Sequence, residues 1–303
     1  MTDTRFKVRP LHAGMVVAAA LLSIGGAARA DCQLTTTVTQ DRWVIRYDPF
    51  AEDVANRQFD IVVANDGDTP CAGVLKMDLR GESFGLARNG DGDRLPYVLT
   101  DERNGVDVTP RSGASARRIN GRAVNLAPGE REILRFALTV EPQESLGDGD
   151  YVQDVQIGIE TADGMPLAER QVTLGLSIPS AALMGIKGAF QRTTDGARID
   201  LGELTEGRRS LATTLYVLST GGYGVSVNSA NNGNLEIEGG GWSVPYGLSL
   251  GSQDINLAQG DEIHVSSRRP RFDNYPMSIV IGDLSGKRAG DYSDTLRFTV
   301  TPF

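Results

Sequence analysis

Histidine is nearly absent from this chain, with two in 303 residues. One of these, His12, lies in the first segment, which leaves His264 alone in the rest. A His-rich zinc site is therefore excluded, and a Ser-His-Asp triad has no support from spacing. Long apolar runs are missing too. Met15–Ile24 (MVVAAALLSI) is well short of the roughly 20 apolar residues a bilayer-spanning helix needs, and no later stretch could span a membrane. Basic runs are equally scarce. A formal net charge of −9 without clustered Lys and Arg makes the chain a poor candidate for anionic lipid, and no nucleic-acid partner is expected. Helical periodicity is almost absent as well.

What is present begins with an export signature. Arg5, Lys7 and Arg9 precede the apolar stretch, and Ala28-Arg29-Ala30 has the small-x-small form of a cleavage site. A secretory signal over residues 1–30, cut between Ala30 and Asp31, is expected. Its removal takes away Arg5, Lys7, Arg9, Arg29 and Asp3, which leaves the chain more acidic. Both cysteines, Cys32 and Cys71, survive that cut, and an even count in an exported chain points to a disulfide. A redox pair or metal site finds no CxxC spacing and no nearby histidine.

Short alternating runs separated by Gly, Asn, Asp and Pro clusters run through the chain, and Gly alone supplies 36 residues. This is the pattern of antiparallel sandwiches with one wet face. The length beyond Ala30 exceeds twice the roughly 100 residues of a small sandwich. An internal repeat agrees with two domains. Leu126-Ala127-Pro128-Gly129-Glu130 recurs as Leu257-Ala258-Gln259-Gly260-Asp261, and Leu95-Pro96-Tyr97 as Val244-Pro245-Tyr246. Gly149-Asp150-Tyr151 with Asp154 recurs as Gly290-Asp291-Tyr292 with Asp294, the second Asp displaced by one place. Two domains are expected, over 31–178 and 179–303, with Pro179 marking the boundary.

The last strands of the two halves differ. Tyr292, Leu296, Phe298 and Val300 share one face of a strand that ends at Phe303. Tyr151, Val155, Ile157 and Ile159 make the equivalent strand, but a turn at Thr161–Gly164 and a further alternating strand (Val172, Leu174, Leu176, Ile178) follow it. The second domain is thus expected to lack its final strand. About three missing inward residues amount to roughly 5–9 kcal/mol of burial, against a whole-domain stability of about 5–15 kcal/mol. An open edge of that kind invites a strand from a partner. Closure by a different local strand, or dimerisation, is the alternative.

These residues resemble the spore coat protein U family, the fimbrial-type domain of archaic, Csu-like chaperone–usher pili. The match is densest at Ala289-Gly290-Asp291-Tyr292-Ser293-Asp294-Thr295-Leu296 with Phe298-Thr299-Val300. Cys32 with Tyr47-Asp48-Pro49, and the Tyr97-Val98-Leu99 and Tyr246-Gly247-Leu248 segments, resemble it more loosely. The chain departs from the pattern in having no cysteine in its second half and no Ser-Asp pair in the last strand of its first.

The resemblance implies tandem immunoglobulin-like, fimbrial-type sandwiches. It also implies donor-strand complementation by a periplasmic chaperone, an outer-membrane usher and a neighbouring pilin subunit, and export to the cell surface. Tyr292, Leu296, Phe298 and Val300 would flank the groove, and the Phe303 carboxylate would be the group a chaperone anchors. After cleavage only Asp31 would precede Cys32, leaving no donor segment, so a tip adhesin for attachment or biofilm formation is expected. A structural shaft or coat subunit is the alternative. The adhesion target, a surface or a glycan, is not indicated.

Other constellations carry little chemistry. Asn89-Gly90-Asp91-Gly92-Asp93 fails as a calcium loop, because the sixth and twelfth places hold Arg94 and Thr100 where Gly and Glu are needed. Gly221-Gly222-Tyr223-Gly224 and Gly239-Gly240-Gly241-Trp242 lack the Lys-Ser/Thr ending of a phosphate loop and read as turns, with Trp242 packing inward. Trp43 and Phe50 are expected in the core. Acidic pairs allow a glycan hydrolase, but nothing sets two carboxylates at a defined separation, so no enzyme and no cofactor are expected.

Overall fold

A computed structural model describes residues 32–51, 54–88, 94–111, 117–119, 122–141 and 146–303. The expected signal with its cut at Ala30 and Asp31, and the 89–93 loop, lie outside the described residues. Strands built from alternating residues account for the regular structure, and no helix occurs among the described residues.

The first half runs β1 (Leu34–Val38), β2 (Arg42–Arg46), β3 (Ala55–Asn65), β4 (Cys71–Asp78), β5 (Leu86–Arg88), β6 (Arg94–Leu95) and β7 (Tyr97–Asp101). It continues with β8 (Val106–Asp107), β9 (Arg117–Arg118), β10 (Val124–Leu126), β11 (Arg131–Val140), β12 (Gly149–Glu160) and β13 (Pro166–Ile178). One sheet has the order β1-β3-β11-β7-β8 and the other β10-β4-β12-β13-β2, with β5, β6 and β9 at its margins. Every pairing is antiparallel except β2 on β13. The chain switches sheets between β1 and β2, so its first strand closes both sheets along one side.

The second half runs β14 (Ala182–Gly188), β15 (Gln191–Thr193), β16 (Gly196–Arg198), β17 (Gly207–Ser219), β18 (Tyr223–Ser229) and β19 (Asn234–Ile237). After these come β20 (Ser243–Leu250), β21 (Gln253–Ile255), β22 (Asp261–Val265), β23 (Arg271–Ile281), β24 (Tyr292–Ser293) and β25 (Leu296–Pro302). Here the sheets are β14-β17-β23-β20-β19-β24, with β21 attached, and β22-β18-β25, beside a small β15-β16 hairpin. Among the described residues no sheet crosses between the halves. The fold is all-β: two tandem immunoglobulin-like sandwiches, the second short of the strand that β13 supplies in the first.

The two cores differ in size. In the first, 30 apolar residues among those described are fully buried, and in the second 15 are. Trp43 anchors the first at 2% exposure, stacked on Phe59 at 5.1 Å and beside Phe136 at 5.8 Å. The Cys32–Cys71 disulfide ties the segment before β1 to β4, stapling one sheet to the other across a sequence separation of 39. Closing such a loop contributes about 4 kcal/mol in the chain-entropy view.

Three expectations change on contact with the fold. Trp242 does not pack inward. It is 42% exposed, because Gly239, Gly240 and Gly241 all take left-handed φ (94, 77 and 91) and carry it past the end of the sheet. Phe50 is half-buried, lining the crevice between the domains instead of a core. The repeated Leu-Ala-x-Gly-acid turn joins β10 to β11 in one half but β21 to β22 in the other. Gly129 and Gly260 share a left-handed φ (77 and 74), so one turn chemistry has arisen at two different places.

Candidate functional site: an uncovered strand edge

The last strand of each half follows one rule. Tyr151, Val155, Ile157 and Ile159 have the same spacing as Tyr292, Leu296, Phe298 and Val300. β12 lies between β4 and β13, with a ladder on each side. β25 is laddered only to β18, from Ser229↔Leu296 to Tyr223↔Pro302, and its other edge has no partner among the described residues.

Burial follows the pairing. Val155, Ile157 and Ile159 are 0%, 3% and 2% exposed. Leu296, Phe298 and Val300 point to the same inner side but are only half-buried, packed against the second core and not enclosed by it. They pack against the core that holds Leu215 and Val217 of β17, and beside them on β18 stand Val225 and Val227, all fully buried. The far lip is β14, whose Ala182, Met184 and Ile186 are likewise half-buried against that core. β14 and β25 approach within 8 Å between Cα atoms without forming a ladder. A strip of half-buried apolar residues thus runs along the unpaired edge of β25, with β14 beside it. The β14 lip was missed in the sequence, although its Ala182-Met184-Ile186 alternation against Leu183 and Lys187 was the signal to use.

Polar links fix the frame on which β25 hangs. The Tyr292 hydroxyl donates to the Arg288 carbonyl at 2.8 Å, and the Tyr151 hydroxyl to the Gly147 carbonyl at 3.0 Å. Each is a tyrosine four residues beyond its acceptor, the tyrosine-corner arrangement of such sandwiches. A second link is shared. The Tyr97 hydroxyl donates to Gln153 Oε1 at 3.1 Å, and the Tyr246 hydroxyl to Asp294 Oδ2 at 2.6 Å. Burial pushes both phenols up from their ordinary range, and for Tyr246 the Asp294 carboxylate adds to the shift. Asp294 also accepts from Ser229 Oγ and from the Asn231 amide. The counterpart of Asp294 is therefore Gln153, not Asp154. Asp154 faces water and accepts from Gln171 and Thr173 of β13.

Of the residues singled out in the sequence, Leu296, Phe298 and Val300 come together on the core-facing side of β25. Tyr292 stands apart on β24, paired with β19. Phe303 turns to the opposite, outer face. Its ring stacks on His264 of β22 at 4.3 Å, and its amide donates to the Gly222 carbonyl at 3.1 Å.

Between the domains lies a crevice of about 610 Å³ lined by Tyr47, Pro49, Phe50, Leu146, Leu218 and Phe272. Asp148 bridges its margin: its amide donates to the Thr220 carbonyl at 3.1 Å and its carboxylate accepts from Ser180 Oγ at 2.6 Å.

No protein-family profile matches the sequence, and no curated protein matches it. Among solved structures, one from the CsuC–CsuE chaperone–tip adhesion subunit pre-assembly complex of the archaic chaperone–usher Csu pili of Acinetobacter baumannii is similar. The likeness spans 89% of this chain and 100% of that one, at 14% identity and a TM-score of 0.43. The CFA/I enterotoxigenic Escherichia coli adhesin CfaE is similar over 86% and 92% of the two chains, at 9% identity and a TM-score of 0.36. A chain from a chaperone–tip adhesin complex of CFA/I fimbriae biogenesis is similar over 92% and 86%, at 9% identity and a TM-score of 0.30.

Proposed function

We propose that this chain is an exported subunit of a chaperone–usher pilus, sitting at the tip as a two-domain adhesin. One observation carries the reading: β25 has a neighbour on one side only, over an apolar floor, where its counterpart β12 is covered by β13. A strand edge backed by half-buried Leu, Phe and Val is a liability that natural sheets avoid unless a partner covers it. An extended segment laid along the free edge of β25 adds a strand to its sheet through main-chain hydrogen bonds and places alternate side chains against the core.

A periplasmic chaperone fills the groove first. At an outer-membrane usher, a neighbouring pilin subunit then supplies the strand. The first domain needs no such help, being closed by its own β13 and stapled by Cys32–Cys71. It is free to meet a surface or glycan, and the work is binding, not catalysis. The signal cut between Ala30 and Asp31 and the division at residue 179 belong to the same proposal.

Co-expression of the full chain with and without a candidate chaperone tests it. The expected result is a one-to-one complex, and selective proteolysis of residues 182–303 when the chaperone is left out. A full-length, protease-resistant monomer obtained alone would sink the reading.

A further inference from the structure

The two last strands also differ on their water-facing side. In the first domain Gln156 of β12 points outward, and its amide donates to the Glu169 carboxylate of β13 at 2.6 Å. The strand that seals that sandwich therefore brings an acid to this position from the diagonal place opposite Gly158, with Gln171 directly across. With Val155 matched to Leu296, the position of Gln156 in the second domain is held by Arg297. Arg297 is exposed on β25, opposite Asn228 of β18, and has no ion-pair partner among the described residues. Thr299 and Thr301, next along the same face, are uncharged. Across the groove, the outward side of β14 offers Leu183 and Lys187, and Lys187 is already engaged with Asn274 and the Phe272 ring. The outward positions of β14 and β25 thus carry the positive charge of Lys187 and Arg297 and no carboxylate side chain.

We infer that the strand accepted by β25 carries a carboxylate on its water-facing side beside Arg297, and that Arg297 discriminates among donor strands by that charge. The inference rests on the reading of β25 as a strand acceptor and names the chemistry of what it accepts. The occupant is an extended segment of a partner protein, with alternate apolar residues inward and an acid outward at the level of Arg297. The inward residues give affinity to any alternating strand. Discrimination then falls to the outward pairs, where opposite charges on neighbouring strands attract and like charges repel. Arg297 likewise repels a non-cognate strand that carries a basic residue at that level.

The test uses the full chain and three synthetic peptides with the same alternating apolar residues. They differ at one water-facing position, which is Glu, Gln or Lys, and that position is moved along the peptide so that no register is assumed. Affinity is read by fluorescence anisotropy. At one position Glu should bind about 2–5-fold tighter than Gln, and Lys about 2–5-fold weaker, the range of exposed cross-strand charge pairs. Arg297→Glu should invert the order and Arg297→Gln should collapse it. The spread should shrink at about 1 M salt, where the screening length falls to about 3 Å. Equal binding of all three peptides at every position overturns the charge inference while leaving the acceptor groove standing. Failure of every peptide to bind or to raise the melting temperature removes the acceptor groove itself, and this inference with it.

Discussion

β12 and β25 are the same strand met twice, and only one of them is covered. Both begin from a tyrosine corner, both are tied to a tyrosine of the strand beginning near residue 97 or 246, and both turn apolar side chains inward at the same spacing. β12 is laddered on two sides and its inner residues are sealed, whereas β25 is laddered on one and its inner residues are half open. Period-two alternation records that a strand has an inside. It does not record which chain supplies the cover.

The comparison breaks most sharply if the missing cover is supplied. A segment with alternate apolar residues, joined by a flexible linker after Phe303, should stabilise the second domain by up to roughly 5–9 kcal/mol, from about three buried side chains. The figure is an upper one, since the unfolded chain already shields part of that surface. Hydrogen exchange, read separately for each domain, should slow at β25 and leave β12 unchanged. Unaltered exchange at β25 would mean that its edge needs nothing.

Truncation sharpens the same contrast at smaller scale. Leu176 on β13 is 0% exposed, so Leu176→Ala should cost the first domain about 2–5 kcal/mol. Val300→Ala, at a half-buried site beside a groove, should cost the second domain less than about 1 kcal/mol alone and more once a strand is bound. Equal costs in the free chain would show that β25 is already sealed.

Alkali separates the domains by another route. Tyr97 in the first domain, and Tyr223 and Tyr246 in the second, have phenols pushed up by burial. Tyr223 is raised further by Tyr275 and Asp273, which take its hydroxyl into a three-way cluster. A raised folded-state value means stability that is complete below the unfolded phenol's pKa of about 10 and is lost as pH rises beyond it. With two such groups against one, the second domain should lose stability more steeply above pH about 10, and Tyr223→Phe should flatten its slope. Parallel slopes in the two domains would contradict this.

Much of this was legible in the sequence because it is local. Alternation placed Val155–Ile159 and Leu296–Val300 on strands, and the extra run Val172–Ile178 announced a cover in one half and none in the other. Non-local facts were not legible. Nothing in the string says that Gln153 stands where Asp294 stands, because that equivalence is made by Tyr97 and Tyr246 on a distant strand. The outward turn of Phe303 onto His264 depends on strand register, and the exposure of Trp242 on three consecutive left-handed glycines. The β14 lip was readable, but its alternation is interrupted by Gly185 and ends at Lys187.

The smallest expected effect tests whether the two strands hang on one frame. Tyr151→Phe and Tyr292→Phe each remove one hydroxyl donor to a backbone carbonyl, worth about 0.5–1.5 kcal/mol. If the corners are equivalent, each variant should cost its own domain the same amount, whether or not the groove is filled. Tyr292 sits on β24, upstream of the uncovered edge, and a strand laid on β25 would not touch its hydroxyl bond. The measurement is exchange at β12 and at β25 in the two variants, with and without a bound strand. A Tyr292→Phe cost that disappears on filling would mean that the corner and the groove are one cooperative unit. The difference between the domains would then reach into the frame itself, beyond the strand that β13 supplies in the first.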